Sequence, residues 1–226
     1  MFHWMEKNPF FFTVFLFVVI AYAGLVEILP NFAEQSRPVV GKTPYTVLQL
    51  AGKEVYVKEN CMSCHSQMVR PFKNETDRYG MYSLSGEYAY DRPFLWGSKR
   101  TGPDLHRVGN YRSTDWHENH MKEPATIVPG SIMPKYPWLF TNAANLETAY
   151  AEAVTVKKVF NTPYTAQMLT INDENPQAGF DATKSVILEE AKLIAADMKD
   201  PEVKAAIAAG NVPEIVALIA YLNSLK

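Results

Sequence analysis

The fold of this chain is determined by one stretch of its sequence, Cys61-Met62-Ser63-Cys64-His65. The C-x-x-C-H spacing is the attachment pattern of a c-type haem. Two thiols on one turn of backbone can form thioethers with the two vinyl groups of a single porphyrin, and the adjacent imidazole then faces the iron. We therefore predict that Cys61 and Cys64 bind one haem covalently and that His65 is an iron ligand.

Other uses of the cysteines fit the sequence less well. With 2 cysteines in 226 residues, the chain cannot form a disulfide framework or a cysteine-rich zinc module. A redox-active C-x-x-C pair is typical of a βαβ frame, which the helical pattern here does not indicate. A zinc site would need two more ligands. His117 and His120 are available, but their polar neighbours Asp115 and Glu118 are typical of a solvated helix face, and we interpret them so.

A second iron ligand is expected from a methionine, the usual partner of histidine in electron-transfer cytochromes c. Met133 lies in the proline-rich segment 128–137, which is suited to crossing the face of a haem. We predict that His65 and Met133 together saturate the iron, so that the site transfers electrons and binds no substrate. Met62 and Met68 lie too near the motif to reach the iron. Met121 and Met168 are the alternative ligands, although each is more typical of a helix core.

A further short motif is Thr101-Gly102-Pro103-Asp104-Leu105, which resembles a loop of the cytochrome c fold. The second ring nitrogen of a metal-binding histidine is commonly oriented by a backbone carbonyl. We predict that the Pro103 carbonyl plays this part for His65 and that the Pro103 ring packs on the haem edge. An ordinary turn is the alternative.

Near the N-terminus, an apolar run of 20 residues extends from Phe10 to Leu29. As a helix it would be about 30 Å long, which matches the hydrocarbon core of a bilayer. A signal peptide ending near Ala21-Tyr22-Ala23 and a buried core helix are the alternatives, and the run is longer than is usual for either. We predict an N-terminal segment at 1–9, a transmembrane helix at 10–29 and a linker at 30–43.

The remainder, residues 44–226, is predicted to be one all-α cytochrome c domain with long loops. Pro44, capped by Thr43, is expected to begin a helix that leads into Cys61. The segment 66–138 is rich in Gly, Pro, Tyr and Arg and indicates loops. The further predicted helices are 114–121, 146–160, 182–198 with Asp181 as its cap, 201–209 bounded by Asp200 and Gly210, and a last one after Pro213.

Charge indicates which partners to expect. The chain has 22 Lys and Arg against 24 Asp and Glu, and a net charge of −2 argues against a nucleic-acid partner. Residues 61–113 hold eight basic and five acidic residues, whereas 143–226 hold seven and eleven, so the two regions are expected to face different partners. The cations expected to be solvated, or to pair with haem propionates or acidic partner surfaces, are Arg70, Arg92, Lys99, Arg100, Arg107 and Arg112.

Taken together, these motifs resemble class I cytochromes c. More narrowly, the chain resembles the membrane-anchored mono-haem cytochrome c subunit, subunit II, of cbb3-type cytochrome c oxidases. The resemblance extends from the anchor to about Leu139, and 141–210 resembles an insertion without assigned motifs. The runs that support it are CHSQMVRPF at 64–72, DRYG at 77–80, SGEY at 85–88, YDRPF at 90–94, WGSKRTGPDL at 96–105 and MPKYPWL at 133–139.

This resemblance implies a subunit of a bacterial respiratory oxidase whose catalytic haem-copper subunit reduces oxygen. The chain would hold one covalent haem c and no oxygen-reducing site, and would pass electrons to haem b. Its donor would be a di-haem cytochrome c subunit or a soluble cytochrome c. The family also implies a calcium ion at the border with the catalytic subunit. Since haem attachment to cysteine occurs outside the bacterial inner membrane, the domain would lie in the periplasm and the N-terminus in the cytoplasm, with lipid around the anchor.

Three other functions compete with this interpretation. A free-standing membrane-tethered cytochrome c shuttle and the cytochrome subunit of a nitric oxide reductase would use the same haem residues. Neither would need the long segment from Gln67 to Leu105, which suits docking to one particular partner. A peroxidase-type haem enzyme would instead require an exchangeable sixth position on the iron.

Overall fold

A computed structural model describes residues 2–33 and 37–226, with the side chains of 2, 5 and 30–33 left out of the description. Within these residues the secondary structure is helical, and an isolated β-bridge joins Ala143 to Pro213. The predicted all-α class is confirmed. The chain divides into two compact units, Met1–Arg37 and Pro38–Lys226.

The first unit contains the helices α1 (Phe2–Glu6) and α2 (Pro9–Ala33). Within α2, Pro9–Leu29 has a mean hydropathy of 2.4 and is long and apolar enough to cross a membrane. None of these 21 residues is buried against other described residues of the chain. The helix continues to Ala33, and the first residues of the segment predicted as a linker are therefore helical.

The second unit is built around the helix α10 (Glu214–Ser224), whose apolar stripe is almost fully buried. Gly52 of the helix α3 (Val47–Lys58) faces α10, and a Cβ there would lie 1.9 Å from the Ala217 carbonyl oxygen, so only glycine permits this backbone approach. The helices, in chain order, are α3 (Val47–Lys58), α4 (Lys73–Tyr79), α5 (Thr114–Lys122), α6 (Pro124–Ile127), α7 (Leu146–Phe160), α8 (Pro176–Ala196), α9 (Pro201–Ala208) and α10 (Glu214–Ser224).

The start of α3 differs from its prediction. Thr46, and not Thr43, caps this helix, because its hydroxyl accepts a hydrogen bond from Gln49 N at 3.2 Å. The Gln49 side chain accepts in return from Thr46 N at 3.1 Å, which completes a capping box. The expected first turn at Pro44 is therefore wrong by one turn of helix, since two reciprocal hydrogen bonds outweigh the preference of proline for a first helical position.

Two more helices correct the sequence prediction. Helix α8 begins at Pro176, because Asn175 Oδ1 accepts from Ala178 N at 3.1 Å, and the expected cap Asp181 lies inside the helix. Helix α4 lies in the segment predicted to be loops, where Thr76 and Gly80 bond back along the chain. Helix α7 has the predicted bounds, and Asp200 caps α9 as expected.

Candidate functional site

The two cysteines and His65 share a single tight turn. After α3 ends, Asn60 adopts a left-handed conformation with φ of 56°, and a 3₁₀ turn follows over Cys61–Ser63. The Cys61 carbonyl accepts hydrogen bonds from Cys64 N at 3.2 Å and from His65 N at 3.0 Å. Both thiols are free, Cys61 being half-buried and Cys64 exposed. The turn therefore presents two thiols and one imidazole together.

His65 is oriented by Pro103. Its Nδ1 lies 2.8 Å from the Pro103 carbonyl oxygen, and since a carbonyl only accepts, the proton resides on Nδ1 and the Nε2 lone pair is left for a metal. Burial lowers the pKa of His65, and the hydrogen bond to the Pro103 carbonyl opposes this. A Cβ at Gly102 would lie 2.3 Å from His65 Cε1, and the ring therefore lies directly against this backbone.

The Pro103 loop is held in place by the buried carboxylate of Asp104. It accepts hydrogen bonds from Ser66 Oγ at 2.6 Å, from Met68 N at 2.8 Å and from His106 N at 2.9 Å. Backbone bonds run beside it, from Gly102 N to the Cys64 carbonyl and from Leu105 N to the Ser66 carbonyl. The residues after the cysteine motif and the loop containing Pro103 are thus fixed side by side.

Arg100 extends this network. Its guanidinium bonds to Glu75 at 2.8 Å, to Asp104 at 3.3 Å and to the Ser66 hydroxyl at 2.5 Å. Burial opposes ionisation of Glu75, but hydrogen bonds from Arg100 and Arg70 lower its pKa to about 2. Both arginines thus neutralise an internal carboxylate and are committed within the domain.

Two other cations expected to meet propionates or partners are also engaged inside the domain. Arg107 pairs with Glu87, and Arg92 donates to the carbonyls of Ala89 and Asp91. Arg70, Lys99 and Arg112 are the exposed members of the predicted set, and Arg112 lies over the ring of Trp116 at 4.3 Å. Four of the six predicted cations, Arg70, Arg92, Arg100 and Arg107, are therefore engaged by carboxylates or carbonyls of the domain itself.

Met133 lies in the segment between α6 and a 3₁₀ turn at Pro137–Phe140. It is partly buried and packs on the same core as Cys61. Tyr136 N donates to the Met121 carbonyl at 3.0 Å. Burial raises the pKa of Tyr136 to about 12, with smaller contributions from Cys61, Glu59 and Cys64.

His117 and His120 of α5 were predicted to lie on a solvated helix face, and this prediction is wrong for His117. It is only 1% exposed, and His120 is half-buried. Burial lowers the pKa of each imidazole to about 4. The polar sequence of α5 does not indicate this burial, because the burial comes from the packing of α5 against α10. The signal that could have revealed it is Met121, which lies one turn beyond His117 and is also buried.

These residues fit a haem. The thiols, the free Nε2 of His65 and the neighbouring Met133 segment supply the attachment points and ligand types that the group requires. Across residues 2–33 and 37–226, no group of three or more His, Cys, Asp or Glu is arranged to hold a separate metal ion.

Comparison with known proteins gives one family. A family model described as "Cytochrome C oxidase, mono-heme subunit/FixO" matches residues 2–226. No curated protein matches the chain. The family match covers both units and confirms the resemblance inferred from the sequence motifs.

Proposed function

We propose that this chain, which belongs to the FixO family of mono-haem cytochrome c oxidase subunits, attaches one haem covalently through Cys61 and Cys64 and transfers electrons within that oxidase. The family description supports a single haem. The observation that supports the covalent attachment is the turn that presents both thiols beside His65, with the ring held by the Pro103 carbonyl at 2.8 Å.

When bound, the haem supplies one-electron redox chemistry at its iron. The residues of the chain determine how the iron is held. Pro103 keeps the proton on Nδ1 of His65, which makes Nε2 the donor and increases its basicity. Met133 is the proposed sixth ligand. If His65 and Met133 both held the iron, it would have no open position, so oxygen reduction would fall to the catalytic haem-copper subunit and this chain would have a non-catalytic role in the complex.

Electrons are proposed to arrive from the di-haem cytochrome c subunit or a soluble cytochrome c and to leave for haem b of the catalytic subunit. A surface suited to such contacts borders the cysteine turn. Phe94 and Trp96 stack at 4.6 Å and are both exposed, and the Trp96 carbonyl accepts from Gln67 N at 2.9 Å. Exposed aromatic pairs are typical of protein interfaces.

For the location, we propose that 10–29 crosses the bacterial inner membrane once and that 44–226 lies in the periplasm. The apolar helix fits a single-pass membrane protein. The periplasmic side is supported by the covalent attachment itself, which in bacteria takes place outside the cytoplasmic membrane. The calcium ion at the border with the catalytic subunit stays a prediction.

The proposal is tested by haem staining of the chain on a denaturing gel. Covalent haem survives denaturation, so the unmodified chain should stain and a Cys61→Ala, Cys64→Ala variant should not. Ser63→Ala is the matched control, since it alters the same turn without removing a thiol. A chain that is present in the membrane but does not stain would contradict the covalent attachment.

A further inference from the structure

The histidines of α5 leave buried ring nitrogens unpaired. Within the part of the chain that the structure describes, neither nitrogen of His117 has a hydrogen-bond partner, nor does the buried Nδ1 of His120. A buried polar atom without a partner costs about 1–3 kcal/mol. Native proteins seldom accept this cost, so an unpaired atom next to a cofactor site indicates a partner supplied when the cofactor is bound.

His120 is the histidine placed to meet that partner. Its ring stacks on Trp116 with centroids 4.4 Å apart, and Arg112 covers the same indole, so the imidazole is held in one orientation. The stacked ring thus presents its buried, unpaired Nδ1 at the last turn of α5.

The Met133 segment is fastened to the same end of α5. Tyr136 N bonds to the carbonyl of Met121, the residue after His120. Lys135 forms an ion pair with Glu123, which follows the helix. These two contacts hold residues 135 and 136 against the end of α5, and only one residue, Pro134, separates Lys135 from Met133. The thioether is thus confined to the neighbourhood of His120.

We propose that His120 is a positioning residue of the haem site and that its ring N–H donates a hydrogen bond to the sulfur of Met133. This inference rests on the proposed function, including Met133 as the sixth ligand. Sulfur is a weak acceptor, and a bond to it reduces the electron density that the thioether gives to iron. Less donation favours the reduced iron, so the bond raises the reduction potential.

The test compares His120→Phe with His120→Tyr in the haem-loaded full-length chain in detergent. Both variants keep an aromatic ring on Trp116, and they differ by one hydroxyl donor. We expect the Phe variant to have a lower reduction potential and a shifted far-red absorption band of methionine-to-iron ligation. The Tyr variant should lie closer to the unmodified chain in both measurements.

Equal potentials in the two variants would overturn the role of His120, because a purely structural effect would appear in both. If the variants fail to fold, the role of His120 is tested by nuclear magnetic resonance of the unmodified protein. In the reduced protein, we expect nuclear Overhauser effects between a histidine ring proton that is protected from solvent exchange and the methyl group of Met133. Their absence would overturn the inference. Lack of covalent haem in the unmodified chain would overturn the proposed function as well. The failure of the His120 inference alone can therefore be distinguished from the failure of the proposed function.

Discussion

The carboxylate of Asp104 accepts a hydrogen bond from the hydroxyl of Ser66 at 2.6 Å, between residues 38 apart in the chain. Ser66 directly follows His65, and Asp104 directly follows Pro103. This bond therefore joins the two loops whose separation sets the 2.8 Å contact between the imidazole and the Pro103 carbonyl. The orientation of the proposed iron ligand depends on a carboxylate that does not touch it.

Replacing this carboxylate should destabilise the domain. Asp104→Ala leaves the Ser66 hydroxyl and the amides of Met68 and His106 without their acceptor, and we expect a loss of about 1–3 kcal/mol for these buried groups. Chemical denaturation of the haem-loaded protein measures it. Asp77→Ala, which removes an exposed partner of Lys73, should change stability by less than about 1 kcal/mol. Equal losses in the two variants would contradict the structural role of Asp104.

The pH dependence of stability should contain a contribution from Glu75. Its folded pKa of about 2 lies below the ordinary value of 4.5, so the charged form stabilises the protein above pH 4.5, and this is lost as the pH falls toward 2. The difference in unfolding free energy between wild type and Glu75→Gln should therefore be largest above pH 4.5 and shrink below it. Urea unfolding at several pH values measures this difference, and one that stays constant would contradict the assignment.

Met133→Leu should lower the reduction potential while the haem remains attached. Leucine fills a similar volume but has no sulfur, so the iron takes water or a weaker ligand. Redox titration with the far-red absorption band measures the effect. Met168→Leu is the control, because Met168 packs on the core and is not proposed as a ligand. An unchanged potential in the Met133 variant would move the sixth ligand to Met121 or Met168.

Lys99 and its neighbour Arg100 should behave differently when reversed in charge. Arg100→Glu should destabilise the domain, since it places a third carboxylate beside Glu75 and Asp104. The exposed Lys99→Glu should leave folding intact and slow electron transfer to haem b more than reduction of haem c, with less effect at high salt. Stopped-flow spectra of the assembled oxidase separate the two steps. Lys192→Glu on α8 is the control with the same charge change, and an equal effect there would contradict a local role for Lys99.

Removing the first unit should release the second from the membrane. A chain of residues 38–226 with a cleavable export signal retains the whole core around α10 and the cysteine turn, so we expect a water-soluble protein that stains for haem. Fractionation of cells with haem staining measures it. Stained protein that remains in the membrane without residues 1–37 would show that contacts of the second unit suffice for anchoring.

Several features followed from the sequence because they depend on neighbours along the chain. The proposed covalent attachment requires only the spacing of Cys61, Cys64 and His65, and a candidate membrane helix requires only an apolar run of sufficient length. Helix α7 was predicted with its observed bounds because its apolar period is a local property of the sequence. The Pro103 carbonyl was predicted as the partner of His65 from a motif resemblance.

The tertiary structure alone decided which side chains face which partners. Arg100 was expected to be solvated or to meet a propionate or another protein, yet Glu75 lies 25 residues away in sequence and neutralises it inside the domain. His117 was expected in solvent, yet the packing of α5 on α10 buries it. Burial and ion pairing depend on surfaces brought together by the fold of the whole domain. The polar or apolar pattern of one segment does not indicate which other segments pack against it.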